Sequence, residues 1–131
     1  VVICNRYVTA NLAHQGSKIV NLKQREAFFK WETLLEYEFF KIPKPNFELI
    51  LRIPAKIAQK LVKTRGSRFY LGNKRLDIHE SDLKHMQAAE KVYMDLAKKF
   101  KYPIVEGVEN GQLLDPETIN EKVYSIIKRI L

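Results

Sequence analysis

Two alternating periodicities constrain this chain more than anything else in it. Three short apolar runs of strand type, at residues 1–4, 47–53 and 103–105, are separated by stretches whose apolar residues recur every three or four positions. Strands joined through helices pair in parallel, because a parallel neighbour needs a long crossover. The pattern therefore predicts an α/β fold with a mostly parallel sheet and flanking helices.

The first run, Val1-Val2-Ile3-Cys4, predicts a strand buried on both faces; it stops at Asn5-Arg6-Tyr7, and Thr9 can cap a short helix over 11–15 that ends near Gly16. Residues 22–40 carry Phe28, Phe29, Trp31, Leu34, Leu35, Phe39 and Phe40, an apolar surface too broad for one buried side. One stripe should face the sheet, and the rest another helix or a second subunit. Pro43 and Pro45 end that helix, and Pro54 suits the first turn of the next, with Ile57, Ala58, Leu61 and Val62 inward. From 63 to 77 the periodicity vanishes in a basic segment with Gly66 and Gly72, read as a mobile loop. Leu83, Met86, Tyr93, Leu96, Ala97 and Phe100 then define a helix of about five turns. Gly111 falls in a turn region. Asp115-Pro116-Glu117 opens a last helix whose stripe is Ile119, Val123, Ile126, Ile127 and Ile130.

The chain has 131 residues, enough for one domain, with 46% apolar and 29% charged residues, which excludes a disordered chain. No apolar run is long enough to span a membrane, and no signal-peptide pattern opens the sequence. The single cysteine, Cys4, forms no internal disulfide and fits a reducing cytoplasm; its apolar neighbours predict a buried core thiol rather than a nucleophile. The net charge of +8 suits nucleic acid, nucleotide phosphates or acidic surfaces alike, and Lys23, Lys30, Lys84, Lys98 and Lys99 fall on the polar sides of helices.

In open parallel sheets ligands bind beyond the carboxyl ends of the strands, which directs attention to Asn5, Arg6 and the helix after them. Arg6 is a permanent cation with a planar donor fork suited to phosphate. Asn11, His14 and Gln15 are three and four apart and share a helix face, and the amides offer both donors and acceptors to a nucleobase edge. The bland alternative pairs Arg6 with an acid and uses Asn11 to cap a turn. Arg65, Arg68, Lys74 and Arg75 make the 63–77 loop either a cationic lid or a solvated charged loop. His79-Glu80 begins like a zinc-binding H-E-x-x-H, but Leu83 stands at the second histidine position and His85 lies far round the helix. No cysteine or histidine cluster has metal-ligand spacing. Tyr7 is read as packing on the sheet rather than stacking on a base.

The run Asn5-Arg6-Tyr7-Val8-Thr9-Ala10-Asn11-Leu12-Ala13-His14-Gln15-Gly16 closely resembles the thymidylate kinase segment D-R-Y-x-x-S-N-x-A-Y-Q-G. KIPKPNFELILRIP is similar to that family's P-x-P-D-L-x-I-x-L-D strand, Asp77-Ile78-His79-Glu80 to its D-x-x-E after the lid, and Tyr93 to the tyrosine of its next helix. The resemblance implies a single, partial P-loop-kinase-like domain of three layers over residues 1–131, with a lid at about 63–78. It implies transfer of a phosphoryl group from ATP to dTMP with Mg²⁺, in a cytoplasmic homodimer. Arg6 would contact the phosphate, Asn11 the thymine edge, and His14 would pack near the sugar, with Asn5 and Gln15 completing the substrate site. Arg6, Arg65, Arg68 and Arg75 would stabilise the transferring charge. Two departures stand out. Asn5 replaces the family's aspartate, and no G-x-x-x-x-G-K-[ST] loop for the ATP phosphates occurs in the 131 residues, so the ATP-binding residues are unassigned. Three readings remain open: part of a full-length kinase, a non-catalytic nucleotide-binding paralogue without the P-loop, or a basic nucleic-acid-binding module.

Overall fold

The computed structural model describes residues 1–64 and 83–130. Helix α1 (Val8–Gly16) is followed by α2 (Leu22–Leu34), which runs without interruption into a π-helical turn at Leu35–Phe39. Strand β1 (Ile50–Arg52), α3 (Ala55–Thr64), α4 (Leu83–Phe100), β2 (Ile104–Glu106), β3 (Val108–Glu109), β4 (Gln112–Leu113) and α5 (Pro116–Ile127) complete the order. The mixture of helices with a parallel strand pair agrees with the α/β expectation. No helix among the described residues is long and apolar enough to cross a membrane.

β1 and β2 pair in parallel, with Ile50 opposite Ile104, Leu51 opposite Val105 and Arg52 opposite Glu106. Both carboxyl ends are held by one guanidinium: Arg52 Nε donates to Glu90 of α4 and Nη1 to Glu106, each at 3.0 Å. Glu90 also accepts the Ala55 N–H at 3.0 Å, so one carboxylate ties the start of α3 to the strand edge.

The expected strand at residues 1–4 is not formed. Those residues join no ladder, and Val1, Val2 and Ile3 are fully exposed or nearly so, at 102%, 89% and 86%. A β-prone tetrapeptide gains burial only from neighbours on both sides, and no described strand pairs with it. Cys4 is consequently exposed, not a core thiol. A second correction lies beyond β2, where β3 and β4 form an antiparallel hairpin around Asn110-Gly111. Their φ values of 50° and 78° are those of a type I′ turn, for which Asn-Gly is the favoured pair.

The core joins α1 and α2 to α4: Val8, Leu12, Ala13, Phe29, Val92 and Leu96 form one buried cluster, with Tyr7, Phe28, Tyr37, Ile42 and Tyr93 packed against it. The α4 stripe runs through Ala89, Val92, Leu96 and Ala97. Phe100, expected inside, is 49% exposed and stacks on Tyr102 instead. Along α5, Asp115 caps the helix as expected by accepting the Thr118 N–H at 2.9 Å. Ile130, the last member of that helix's expected stripe, is exposed.

Candidate functional site

Three residues set the start of α1. Arg6 has a φ of 71°, in the left-handed region, and Tyr7 beside it is extended. A non-glycine residue held there costs on the order of 1–3 kcal/mol, and such residues gather at binding sites. Thr9 is not the cap that the sequence suggested. It lies inside the first turn, and its hydroxyl donates to Glu48, which also accepts from the Tyr102 hydroxyl at 3.2 Å. The Tyr7 hydroxyl donates to the Pro43 carbonyl at 2.9 Å, so its ring packs on the helical core rather than on a sheet. These bonds pin the first turn of α1 to the segment ahead of β1. Since residues 1–4 form no strand, Arg6 does not stand at a strand's carboxyl end.

Beside this turn is a cavity of about 340 Å³ lined by Arg6, Tyr7, Val8, Ala10, Asn11, His14, Glu36 and Ile42. It brings together Arg6, Asn11 and His14 of the residues singled out in the sequence. Arg6 is exposed and makes no ion pair with any described residue. Asn11 lies within α1, not at a cap, and its Nδ2 donates to Glu36 Oε1 at 3.3 Å. His14 Nδ1 is 3.3 Å from His85 Nε2, and its ring meets the edge of Tyr93 at 5.9 Å between centroids. Burial pushes the Tyr93 phenol up, with the Arg6 charge pulling the other way.

Gln15 does not line the cavity; its Oε1 accepts from Lys18 at 3.0 Å. Asn5 is exposed and likewise not part of the wall. Arg65, Arg68, Lys74 and Arg75, with Asp77, His79 and Glu80, lie outside the described residues, although residues 63–64 of the expected lid still belong to α3.

Sequence reasoning missed Glu32, Glu36, Ile42 and His85. Glu32 and Glu36 lie one turn apart on a helical stretch that also carries Glu26 and Glu38, so spacing alone does not single them out. Glu32 is buried, at 9% exposure. Burial first, then the Glu36 charge, push its carboxyl above the usual range, while the Asn11 amide favours its charged form. Among the described residues no three histidine, cysteine or acidic side chains converge, and Asn5 offers a neutral amide. These residues alone therefore do not make a magnesium cradle.

No protein-family model matches the chain, and no solved structure matches it. Among curated proteins, one named probable thymidylate kinase from Pyrobaculum aerophilum is 26% identical over 131 residues, which is 100% of this chain and 56% of the relative. Proteins named thymidylate kinase from two strains of Mycobacterium tuberculosis are each 28% identical over 97 residues, 74% of this chain and 44% of the relative. The chain thus spans about half the length of the curated relatives it matches. By these matches the chain is similar to proteins named thymidylate kinase.

Proposed function

We propose that this chain supplies the acceptor side of a thymidylate kinase, binding dTMP so that its phosphate attacks the terminal phosphoryl group of ATP to give dTDP and ADP. The observation that carries the reading is the cavity beside α1, where Arg6, Asn11 and His14 of the family-like motif meet. Arg6 neutralises phosphate charge, and the first turn of α1, which has no side-chain cap, adds the positive end of a nine-residue helix. Asn11 meets the base, and His14, braced by Tyr93, borders the sugar.

Phosphoryl transfer needs in-line positioning and compensation of charge more than covalent chemistry. Arg65, Arg68 and Arg75 are proposed to bring positive charge to the transferring group from a lid at about 63–78. Asn5 and Gln15 are proposed to border the substrate site. The ATP phosphates require a backbone cradle of the G-x-x-x-x-G-K-[ST] type, a motif these 131 residues do not contain, and Mg²⁺ accompanies ATP in this reading. The parallel pair then belongs to a three-layer kinase-like domain in a cytoplasmic protein. Trp31, Leu34, Phe39 and Phe40, exposed on α2 and its π turn, are proposed to bury one another's surface across a homodimer.

Thermal unfolding of the full-length protein with nucleotides, paired with a coupled assay of ADP release, tests the reading. dTMP should raise Tm, ATP with Mg²⁺ should be turned over, and Arg6→Ala should abolish both effects. Absence of any dTMP effect, with binding to nucleic acid that collapses as salt rises, would replace it with the nucleic-acid reading.

A further inference from the structure

Asn11 can present two opposite faces to a ligand. Its amide nitrogen is a donor, its oxygen an acceptor, and a free asparagine offers both. Here the choice is constrained from below. Nδ2 donates to Glu36 Oε1 at 3.3 Å, and the same amide favours the charged form of the Glu32 carboxyl. A carboxylate only accepts, so both glutamates attract the NH₂ end and repel the carbonyl end.

The arrangement is costly for a purely structural purpose. Glu32 is buried, and Glu36 places a like charge four residues further along the same helical stretch. Glu36 also sits inside the π turn, marked by the Phe40 N–H to Leu35 carbonyl bond at 2.9 Å. A π turn re-aims the side chains within it and is frequent at functional sites. Glu36 lines the same cavity as Asn11 and Arg6.

We propose that Glu32 and Glu36 are positioning residues which turn the Asn11 amide nitrogen toward themselves, so that the pocket meets its ligand with the Asn11 carbonyl oxygen and selects a base carrying a ring N–H. This deepens the dTMP reading and rests on it. A base with a ring N–H, such as thymine, donates to Asn11 Oδ1. Cytosine and adenine place a ring nitrogen lone pair against that oxygen, and the Glu36 charge adds to the repulsion.

The test compares dTMP, dCMP and N3-methyl-dTMP binding to the full-length protein by calorimetry. Wild type should bind dTMP at least about tenfold more tightly than either competitor. The double variant Glu32→Leu/Glu36→Ala should release the amide to rotate and bring dCMP to within about threefold of dTMP, and Glu36→Ala, which keeps Glu32, should narrow the gap part of the way. Glu36→Gln keeps an acceptor for Nδ2, with Glu32 in place, and should retain the selectivity; this recovery separates positioning from a loss of folding. If wild type binds dTMP but Glu36→Ala and the double variant keep its preference, or if wild type binds dCMP equally well, this inference falls while the nucleotide site stands. If wild type binds no dTMP, both fall together.

Discussion

Replacing Gly16 by alanine sets two effects of opposite sign against each other. Within a helix, glycine to alanine is favourable by up to about 1 kcal/mol, and less at a last residue such as this one. Against it stands the space available. A Cβ at position 16 would lie 2.5 Å from Phe29 Cε1, 3.1 Å from Cζ and 3.6 Å from Cδ1. Carbon atoms pack at about 3.5–4.0 Å, so the ring would have to withdraw by roughly 1 Å. Phe29 is 8% exposed and sits among Leu12, Ala13, Val92 and Leu96, so it has no free side to move into. Overpacking of this kind costs about 1–3 kcal/mol, which outweighs the helical gain. The expected net loss is about 1–2 kcal/mol, or about 4–8 °C in Tm for a chain of this size. Urea denaturation followed by circular dichroism reads it as a lower midpoint with an unchanged slope. Phe29→Leu should relieve the clash, so the double variant should be more stable than the sum of the single losses by about 1 kcal/mol. A Gly16→Ala protein as stable as wild type would show that the α1–α2 contact is looser than described and refute the packing argument.

Three further outcomes follow from the same contacts. The Glu32 carboxyl is raised in the fold, so the folded state binds its proton more tightly than the unfolded chain, and stability falls as pH rises from about 4.5 through the raised value. Glu32→Gln should therefore unfold at a higher temperature than wild type at pH 7 and at the same temperature near pH 4; an equal difference at both would remove burial as the cause. The Tyr37 phenol, pushed up to about 12 by burial and then by the charge of Glu48, should lose its proton well after a free tyrosine in an absorbance titration. Stability from that group is lost as pH rises from about 10 through 12, and Tyr37→Phe should delay alkaline unfolding. Arg52→Met leaves Glu90 and Glu106 facing each other without their shared cation and should cost about 1–2 kcal/mol, a figure reduced for partial exposure. Stability unchanged at low salt would make the triad a surface feature.

Legibility in the sequence followed the range of the forces involved. Helix positions and the parallel pairing of 50–52 with 104–106 were readable because apolar spacing and the cap at Asp115 act over a few residues. The strand at residues 1–4 was misread because its apolar content was weighed without a partner strand, and a strand without a ladder has nothing to bury against. The hairpin at 108–113 was overlooked although Asn110-Gly111 announces it, since two-residue strands carry no periodicity. At the site, Arg6, Asn11 and His14 were legible from motif and helix spacing. Glu36 and Glu32 were not, because their meeting with Asn11 depends on how α2 packs across α1 and on the π turn that aims Glu36. His85 shows in the sequence only as a misplaced zinc ligand, whereas in the fold it meets His14, seventy-one positions away.

A crystal structure of the full-length protein with dTMP bound tests the central claim most directly. The account predicts the phosphate within hydrogen-bonding distance of the Arg6 guanidinium, the deoxyribose beside His14, and the thymine N3–H donating to Asn11 Oδ1, all inside the cavity bordered by Glu36 and Ile42. Nucleotide seated elsewhere, with Arg6 turned to solvent and the cavity filled by water, would contradict it.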